Sequence, residues 1–186
     1  AGIEYIFNCG YRTMQEQTDI LEKRTQEHMK EFDLDFDEAR KKALETVAVP
    51  GTSEHQMGLA VDISGEDAHA WLAEHCWEYG FILRYTEDKA EITGITNEPW
   101  HFRYVGWPHA KLMEERHLVL EEYLEWLHDF PLGGEPLRFR GLGRLFELYY
   151  LPAWAADTLT LPADVPCQRC DTNEGGVVLT LWRDAG

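Results

Sequence analysis

The sequence is poor in basic residues and has no long apolar stretch. Its 17 Lys and Arg residues are outnumbered by 34 Asp and Glu residues, which leaves a formal net charge of -17 at pH 7. Nucleic acids and anionic lipid headgroups are bound through Lys and Arg contacts to phosphate, so this charge excludes both as general partners. Because no apolar run approaches the roughly 20 residues that a bilayer requires, we predict no membrane-spanning segment in this chain.

Cysteine is also scarce, with four residues: Cys9, Cys76, Cys167 and Cys170. The last two have the C-x-x-C spacing of zinc knuckles and redox sites, but the sequence has no second such pair and no helix pattern after them. We therefore expect either a local disulfide or two plain thiols there. The sequence leaves the bridging state of all four cysteines open.

What the sequence does contain is typical of a folded protein, because 44% of its residues are hydrophobic and 12% are aromatic. A chain of 186 residues is long enough for one domain with a substantial core and an appendage. After Pro131 the composition shifts towards Gly, Pro and Leu. We predict a main domain over residues 1–130 and a C-terminal extension over 131–186 that contains strands and packs on the main domain.

Hydrophobic periodicity and turn residues predict alternating short strands and helices. Strands are predicted over 2–9 (buried), 59–63, 81–85, 101–105 and 177–182, with 90–95 pairing back as a further strand. Helices are predicted over 15–32, 37–47, 67–79, 109–115 and 118–130. Helices and strands in this arrangement predict an α+β fold, with helices packed on one face of a small, mainly antiparallel sheet.

Two short segments concentrate groups that can bind a metal and move protons. Residues 53–62, SEHQMGLAVD, place His55 in a loop and Asp62 in the following strand. Residues 98–101, EPWH, place Glu98 and His101 at the entrance to a strand. Two imidazoles and a carboxylate suit Zn²⁺ and leave a fourth position for water, as catalytic zinc sites require. Glu98 is then the carboxylate that does not bind the metal.

Taken singly, these residues have ordinary structural explanations. A histidine beside glycine in a loop is usually just hydrogen-bonded, and an aspartate at the end of a strand is usually a turn cap. With eight histidines in the chain, some pairing of an acid with an imidazole at short spacing is also expected by chance. Spacing alone therefore leaves both interpretations open.

A family resemblance adds to the spacing argument. The segments SEHQMGLAVDI, GFILRY, ITGI and EPWHFRYVG resemble, in order and spacing, those of VanY-type D-alanyl-D-alanine carboxypeptidases of the lysostaphin/D-Ala-D-Ala/Hedgehog metallopeptidase group. The resemblance covers residues 3–127. It includes the segment CGYRT with Gln17, similar to the family's SGYRS-x3-Q, and the helix LEEYL. The chain departs from the pattern at Cys9, where serine is usual, and at Met57, where threonine is common.

The resemblance implies a role for each matching residue. It implies that His55, Asp62 and His101 hold Zn²⁺ on the open face of the sheet, that Glu98 is the general base and later the general acid, and that Arg12 stabilises the negative oxygen of the tetrahedral intermediate. Four polar residues in matching segments are candidates to bind the terminal carboxylate of the substrate: Gln17, Ser53, Arg84 and Tyr85. For Arg84 and Tyr85, a strand-edge ion pair and a core ring are competing explanations.

The resemblance implies a zinc D,D-carboxypeptidase that removes the terminal D-Ala from peptidoglycan stem peptides or their precursors, the target of glycopeptide antibiotics. Two alternatives stay open: an L,D-carboxypeptidase or D,D-dipeptidase with the same chemistry, and a non-catalytic, zinc-stabilised module that binds wall peptides. Since the chain opens at Ala1 without a basic, Leu-rich leader, we expect an N-terminal signal or anchor to precede it and to place a carboxypeptidase at the cell envelope; a dipeptidase would be cytoplasmic.

Overall fold

The computed structural model describes residues 2–156, 163–172 and 174–185. These residues form two compact units, one over Ala1–Val119 and one over Leu120–Gly186. The division into a main domain over 1–130 and an extension over 131–186 stays a prediction.

The first unit is built from nine regular elements. They are β1 (Ile6–Cys9), α1 (Met14–Phe32), α2 (Phe36–Ala43), β2 (Ala60–Ser64), α3 (Glu66–His75), β3 (Phe81–Leu83), α4 (Ala90–Thr93), β4 (His101–Tyr104) and α5 (Trp107–Arg116). Single 3₁₀ turns occur at Glu54–Met57, Cys76–Tyr79 and Glu87–Lys89. The four strands form one sheet in the order β1-β2-β4-β3, with every neighbouring pair antiparallel.

Helix α1 begins where its sequence indicates. The Thr13 hydroxyl accepts a hydrogen bond from the Glu16 backbone N–H, and the Glu16 carboxylate accepts one from the Thr13 backbone N–H. This reciprocal capping box satisfies two donors that the first turn leaves without helical partners. The buried residues of the helix recur every three or four positions, and among them Leu21 packs in a cluster with Ala43 and Val47. The capped start of α1 follows directly after Arg12.

In its described residues, the second unit contains one further sheet and two helices. Its elements are α6 (Leu120–Leu127), β5 (Leu137–Gly141), β6 (Arg144–Pro152), α7 (Ala153–Ala156), β7 (Cys167–Asp171) and β8 (Gly176–Asp184). The sheet is antiparallel in the order β5-β6-β8-β7. A cluster of Leu151, Val177, Leu179 and Leu181 forms its core. Cys167 and Cys170 lie on β7 as free thiols, like the other two cysteines, all of which are in the described part of the chain.

The predicted α+β class is confirmed, with two antiparallel sheets where one was expected. The predicted buried strand over 2–9 is wrong in its burial, because β1 starts at Ile6, lies at the edge of its sheet, and leaves Ile6 66% and Phe7 61% exposed. The predicted strand over 90–95 is a short helix that ends at Gly94, whose φ of 72° gives the left-handed C-cap. Among the described residues, no helix combines the length and apolarity needed to cross a membrane.

Candidate active site

Three neighbouring strands align the first functional residues in one row. Asp62 on β2 lies opposite His101 on β4 and, on its other side, opposite Cys9 on β1. Directly opposed residues of antiparallel strands project from the same face of a sheet. The register of β1 shifts between Phe7 and Cys9, so a bulge brings Cys9 opposite Asp62. The row Cys9–Asp62–His101 therefore lies on one sheet face.

His55 reaches the same point from the 3₁₀ turn before β2. Gly58 ends this turn with φ 68°, in the left-handed region that favours glycine, and its N–H bonds to the carbonyls of Glu54 and His55. Nδ1 of His55 lies 2.7 Å from the Gly10 carbonyl oxygen, and Nε2 lies 3.2 Å from Oδ2 of Asp62. The ring is almost completely buried.

The hydrogen bond between His55 and Gly10 turns Nε2 of His55 towards Asp62. A carbonyl oxygen can only accept, so Nδ1 carries the proton that it donates to Gly10. A neutral ring then presents the lone pair of Nε2 to a carboxylate oxygen, an arrangement that is repulsive. A proton on either atom or a metal ion between them would remove that repulsion.

His101 has a carboxylate at each ring nitrogen. Nδ1 lies 3.1 Å from Oδ1 of Asp62, and Nε2 lies 3.2 Å from Oε2 of Glu54. Burial disfavours the charged ring, but the hydrogen bonds to Asp62 and Glu54 outweigh it and raise the pKa of His101 to about 9. Burial likewise opposes the charge of Asp62, yet hydrogen bonds from both histidines hold the pKa of Asp62 well below its usual range.

Glu54 also belongs to this cluster, although the sequence analysis does not name it. Its Oε1 lies 2.9 Å from Nε of Arg84 and 2.8 Å from Nη1 of Arg103. Although burial acts to raise the pKa of Glu54, the hydrogen bond with His101 and the charges of Arg103 and Arg84 lower it to about 2. A signal was available, since His101 and Arg103 lie two residues apart in a strand and therefore share a face.

Glu98 lies beside the histidines without sharing their contacts to Asp62. Its Oε2 is 3.9 Å from Nδ1 of His101, and the side chain is buried. Backbone bonds fix its position, because its N–H donates to the Tyr85 carbonyl and its own carbonyl accepts from the His101 N–H. Burial, assisted by the charge of Asp62, raises the pKa of Glu98 to about 7 against the opposing effect of His101. A carboxyl that titrates near neutral pH can act as a base and as an acid.

Arg12 connects the sheet to helix α1. Its guanidinium donates to Oδ2 of Asp62 at 3.1 Å, to Oε1 of Gln17 at 2.9 Å and to Sγ of Cys9 at 3.3 Å. Its backbone N–H donates to the His55 carbonyl. The guanidinium thus lies at the edge of the cluster formed by His55, Asp62 and His101.

The predicted substrate contacts lie around this cluster. Gln17 is buried and its amide also donates to the Ala48 carbonyl, while Ser53 is a buried residue immediately before the 3₁₀ turn of His55. The Tyr85 ring lies 5.1 Å from the His101 ring, and the Arg84 guanidinium lies 4.7 Å from the centre of the Tyr85 ring. Arg84 is buried and bonded to Glu54. The structure brings all nine predicted site residues into one region of the first unit, and their individual roles stay predictions.

Comparison with known proteins identifies the family. The sequence model of the VanY family, described as D-alanyl-D-alanine carboxypeptidase, matches residues 1–107. A D-alanyl-D-alanine carboxypeptidase of Enterococcus faecium is 33% identical over 186 residues, which cover 96% of this chain and 54% of that protein. The chain therefore spans about half the length of this curated relative.

Solved structures agree with this assignment. A mutant of the vancomycin resistance D,D-pentapeptidase VanY, in complex with Zn(II), is 45% identical with a TM-score of 0.63, over 66% of this chain and 72% of its own. The vancomycin resistance D,D-dipeptidase VanXYg, in complex with a D-Ala-D-Ala phosphinate analogue, is 32% identical with a TM-score of 0.79, over 98% of this chain and 75% of its own. The family resemblance read from the sequence is confirmed, and the chain belongs to the VanY D-alanyl-D-alanine carboxypeptidase family.

Proposed function

We propose that this chain is a zinc-dependent D-alanyl-D-alanine carboxypeptidase that hydrolyses the terminal D-Ala from peptidoglycan stem peptides. One observation carries the proposal. Nε2 of His55 and Nδ1 of His101 converge on the Asp62 carboxylate at 3.2 and 3.1 Å, and the Glu98 carboxyl lies next to them, 3.9 Å from His101. The match to a family of carboxypeptidases and the zinc complex of a VanY relative support the same reaction.

The donor set fits zinc. Two imidazole nitrogens and a carboxylate oxygen are ordinary zinc ligands, and donors bound tetrahedrally at about 2.0–2.1 Å lie about 3.3 Å apart. Nε2 of His55 lies 3.2 Å from one oxygen of Asp62, and Nδ1 of His101 lies 3.1 Å from the other. Each histidine has its other nitrogen tied to an acceptor, Gly10 for His55 and Glu54 for His101, as is usual for zinc-binding histidines. When bound, zinc supplies a Lewis acid that makes water more acidic and polarises a carbonyl.

Glu98 moves the proton during hydrolysis. Its carboxylate takes a proton from the attacking water, whose oxygen then forms a bond to the carbonyl carbon of the scissile amide. The same carboxyl later donates that proton to the departing amine nitrogen, the C–N bond breaks, and D-Ala leaves. The pKa of about 7 that burial gives Glu98 suits both steps.

Arg12 is the candidate to stabilise the negative oxygen that develops on the carbonyl. Its guanidinium is always charged and presents several donors in a fixed plane. Gln17 holds one side of it, which leaves its position defined before substrate arrives. Ser53, Gln17, Arg84 and Tyr85 stay the proposed contacts of the terminal carboxylate of the peptide, and Arg84 in addition holds Glu54 in place.

The choice among related peptidases depends on the pocket and not on the metal site. A D,D-dipeptidase is the second candidate, because a D,D-dipeptidase structure covers 98% of this chain. An L,D-carboxypeptidase on tetrapeptide stems and a non-catalytic wall-peptide binder are the remaining alternatives. As a carboxypeptidase on wall peptides or their precursors the protein would act at the cell envelope, and as a dipeptidase it would act in the cytoplasm.

Product analysis by mass spectrometry tests the proposal. Zinc-loaded protein is incubated with a pentapeptide stem ending in D-Ala-D-Ala, a tetrapeptide stem and free D-Ala-D-Ala, each with and without a chelator. We expect loss of one alanine from the pentapeptide, abolished by the chelator. Cleavage of the tetrapeptide alone or the dipeptide alone would replace the first choice by the corresponding alternative. Binding of stem peptides without release of any amino acid would identify a non-catalytic module.

A further inference from the structure

We propose that the thiolate of Cys9 is an additional protein ligand of the metal ion held by His55 and Asp62. This inference rests on the proposed function, since it assumes a metal at that position. Sγ of Cys9 and one donor atom each from His55 and Asp62 all lie within 4.8 Å of one another. A single ion between the three atoms is therefore within reach of each of them after small side-chain movements.

The bulge in β1 is what brings Cys9 into this position. Ile6 pairs with Ser64 and Phe7 pairs with Ile63, so a regular ladder would place Asn8 opposite Asp62. The register shift after Phe7 makes Cys9 the partner of Asp62. Bulges commonly redirect a side chain beside an active site. Here the bulge adds a sulfur atom to the sheet face that already carries Asp62 and His101.

The surroundings of the sulfur suit a negatively charged ligand. Nε of Arg12 donates to Sγ at 3.3 Å, and the same guanidinium donates to Asp62 at 3.1 Å. Arg12 therefore places its positive charge beside two of the three donors. It can remain bonded to the sulfur and the carboxylate while both of them face a metal ion, because it occupies only part of their acceptor capacity.

Sulfur changes the coordination chemistry expected at this position. A thiolate is a strong ligand for Zn²⁺ and for Co²⁺, whereas the serine that is usual here in the family offers only a neutral hydroxyl. The donors that lie within 4.8 Å of one another are those of Cys9, His55 and Asp62, so a bound Cys9 would add a second negatively charged donor to the site.

Cobalt substitution tests this ligation directly. Metal-free protein is loaded with one equivalent of Co²⁺, and the near-ultraviolet absorption from sulfur-to-cobalt charge transfer is recorded for the wild type, Cys9→Ser and Cys170→Ser. Cys170 is an exposed thiol on β7 and serves as the control. We expect the band in the wild type and in Cys170→Ser, and its loss in Cys9→Ser with cobalt still bound.

Two results would overturn the inference, and they differ from each other. Bound cobalt with visible absorption but without the sulfur band would reject Cys9 as a ligand and leave the proposed metal site intact. Failure of the wild type to bind cobalt or zinc at all would reject the metal site and the inference together.

A second measurement uses the wild-type chain, so it does not depend on the folding of a variant. Iodoacetamide labels accessible free thiols, and peptide mass spectrometry follows Cys9 and Cys170 with zinc and with a chelator. We expect zinc to suppress labelling of Cys9 at least tenfold and to leave labelling of Cys170 unchanged. Equal labelling of Cys9 in both conditions would contradict ligation.

Discussion

His101 is held between two carboxylates, and this defines which of its nitrogens can face a metal. Glu54 occupies Nε2 and leaves Nδ1 towards Asp62. Arg84 and Arg103 hold Glu54 in turn, so the orientation of the imidazole depends on charges that never touch the metal. Second partners of this kind raise the basicity of the ligand and fix its tautomer.

We therefore expect Glu54→Gln to weaken zinc binding by about 10- to 100-fold. Competition titration with a chromophoric chelator measures the affinity. Glu91→Gln, which changes an exposed carboxylate, is the matched control and should leave the affinity unchanged. An unaltered affinity in Glu54→Gln, with folding intact by circular dichroism, would show that Glu54 does not position His101.

His109 on α5 gives a separate prediction about pH and stability. It is buried, and burial lowers the pKa of His109 to about 4. In the unfolded chain, this histidine takes up a proton near pH 6.5, whereas in the folded chain it stays neutral down to about pH 4. Its contribution to the free energy of unfolding is therefore fully present above pH 6.5 and decreases as the pH falls towards 4. We expect protonation of His109 to lower the free energy of unfolding by about 2 kcal/mol between pH 7 and pH 5. Urea unfolding of metal-free wild type and His109→Gln checks it; an equal pH dependence in both would contradict the assignment.

In the first unit, tight turns at glycine end helical segments before the next element begins. Gly80 has φ 81° and ends the 3₁₀ turn before β3, and its carbonyl accepts hydrogen bonds from the backbones of Val105 and Gly106. A Cβ at Gly80 would lie 3.0 Å from the backbone nitrogen of Trp107. The backbone there has little freedom to move away.

We expect Gly80→Ala to destabilise the protein by at least about 1 kcal/mol more than Gly94→Ala. Gly94 has a similar φ of 72°, but a Cβ there meets nothing within 4 Å, so only the cost of the left-handed backbone applies. Chemical denaturation of the two variants gives the difference. Equal destabilisation would mean that the contacts around Gly80 relax without cost.

Local signals in the sequence predicted some elements well. The helix predicted over 15–32 corresponds to α1 (Met14–Phe32), and its start depends on a local capping box of Thr13 and Glu16, which involves only neighbouring residues. The apolar residues of β1 predicted a strand but not its edge position, which depends on what pairs with it. The strand predicted over 90–95 is wrong because a short apolar run can form either a strand or a helical turn.

The candidate site was predictable to the extent that its residues cluster in the chain. His55 with Asp62, and Glu98 with His101, occur in compact segments, and the family resemblance joined the two. Glu54 lies inside the first segment, but its contacts cannot be predicted from that segment, because only the folded sheet brings His101 and Arg103 to it. The position of Cys9 opposite Asp62 depends on a bulge in β1 that the sequence of this strand does not predict.

At the scale of the whole molecule, two compact units share a chain of formal charge -17. The first unit contains every residue of the candidate site. The negative charge of its acidic residues Asp62, Glu54 and Glu98 is balanced by three arginines and, in the proposed state, by zinc. The arginines are Arg12, Arg84 and Arg103. A ligand that binds only the folded state stabilises it, by about 4 kcal/mol at a thousand times its dissociation constant.

Zinc should therefore raise the melting temperature of the chelator-treated wild type by several degrees or more. His101→Ala should lose this response, because it removes a ligand. Differential scanning calorimetry at matched protein concentration measures both. A zinc response of equal size in His101→Ala would mean that the stabilising ion binds elsewhere.

In the proposed function, a zinc site with Glu98 as its base hydrolyses the stem peptide. The most direct measurement is D-alanine release from a D-Ala-D-Ala pentapeptide by wild type and Glu98→Ala, each verified to hold one equivalent of zinc. We predict a kcat lower by a factor of about 10² to 10⁴ in Glu98→Ala with its zinc retained. Full activity in zinc-loaded Glu98→Ala would show that Glu98 is not the general base.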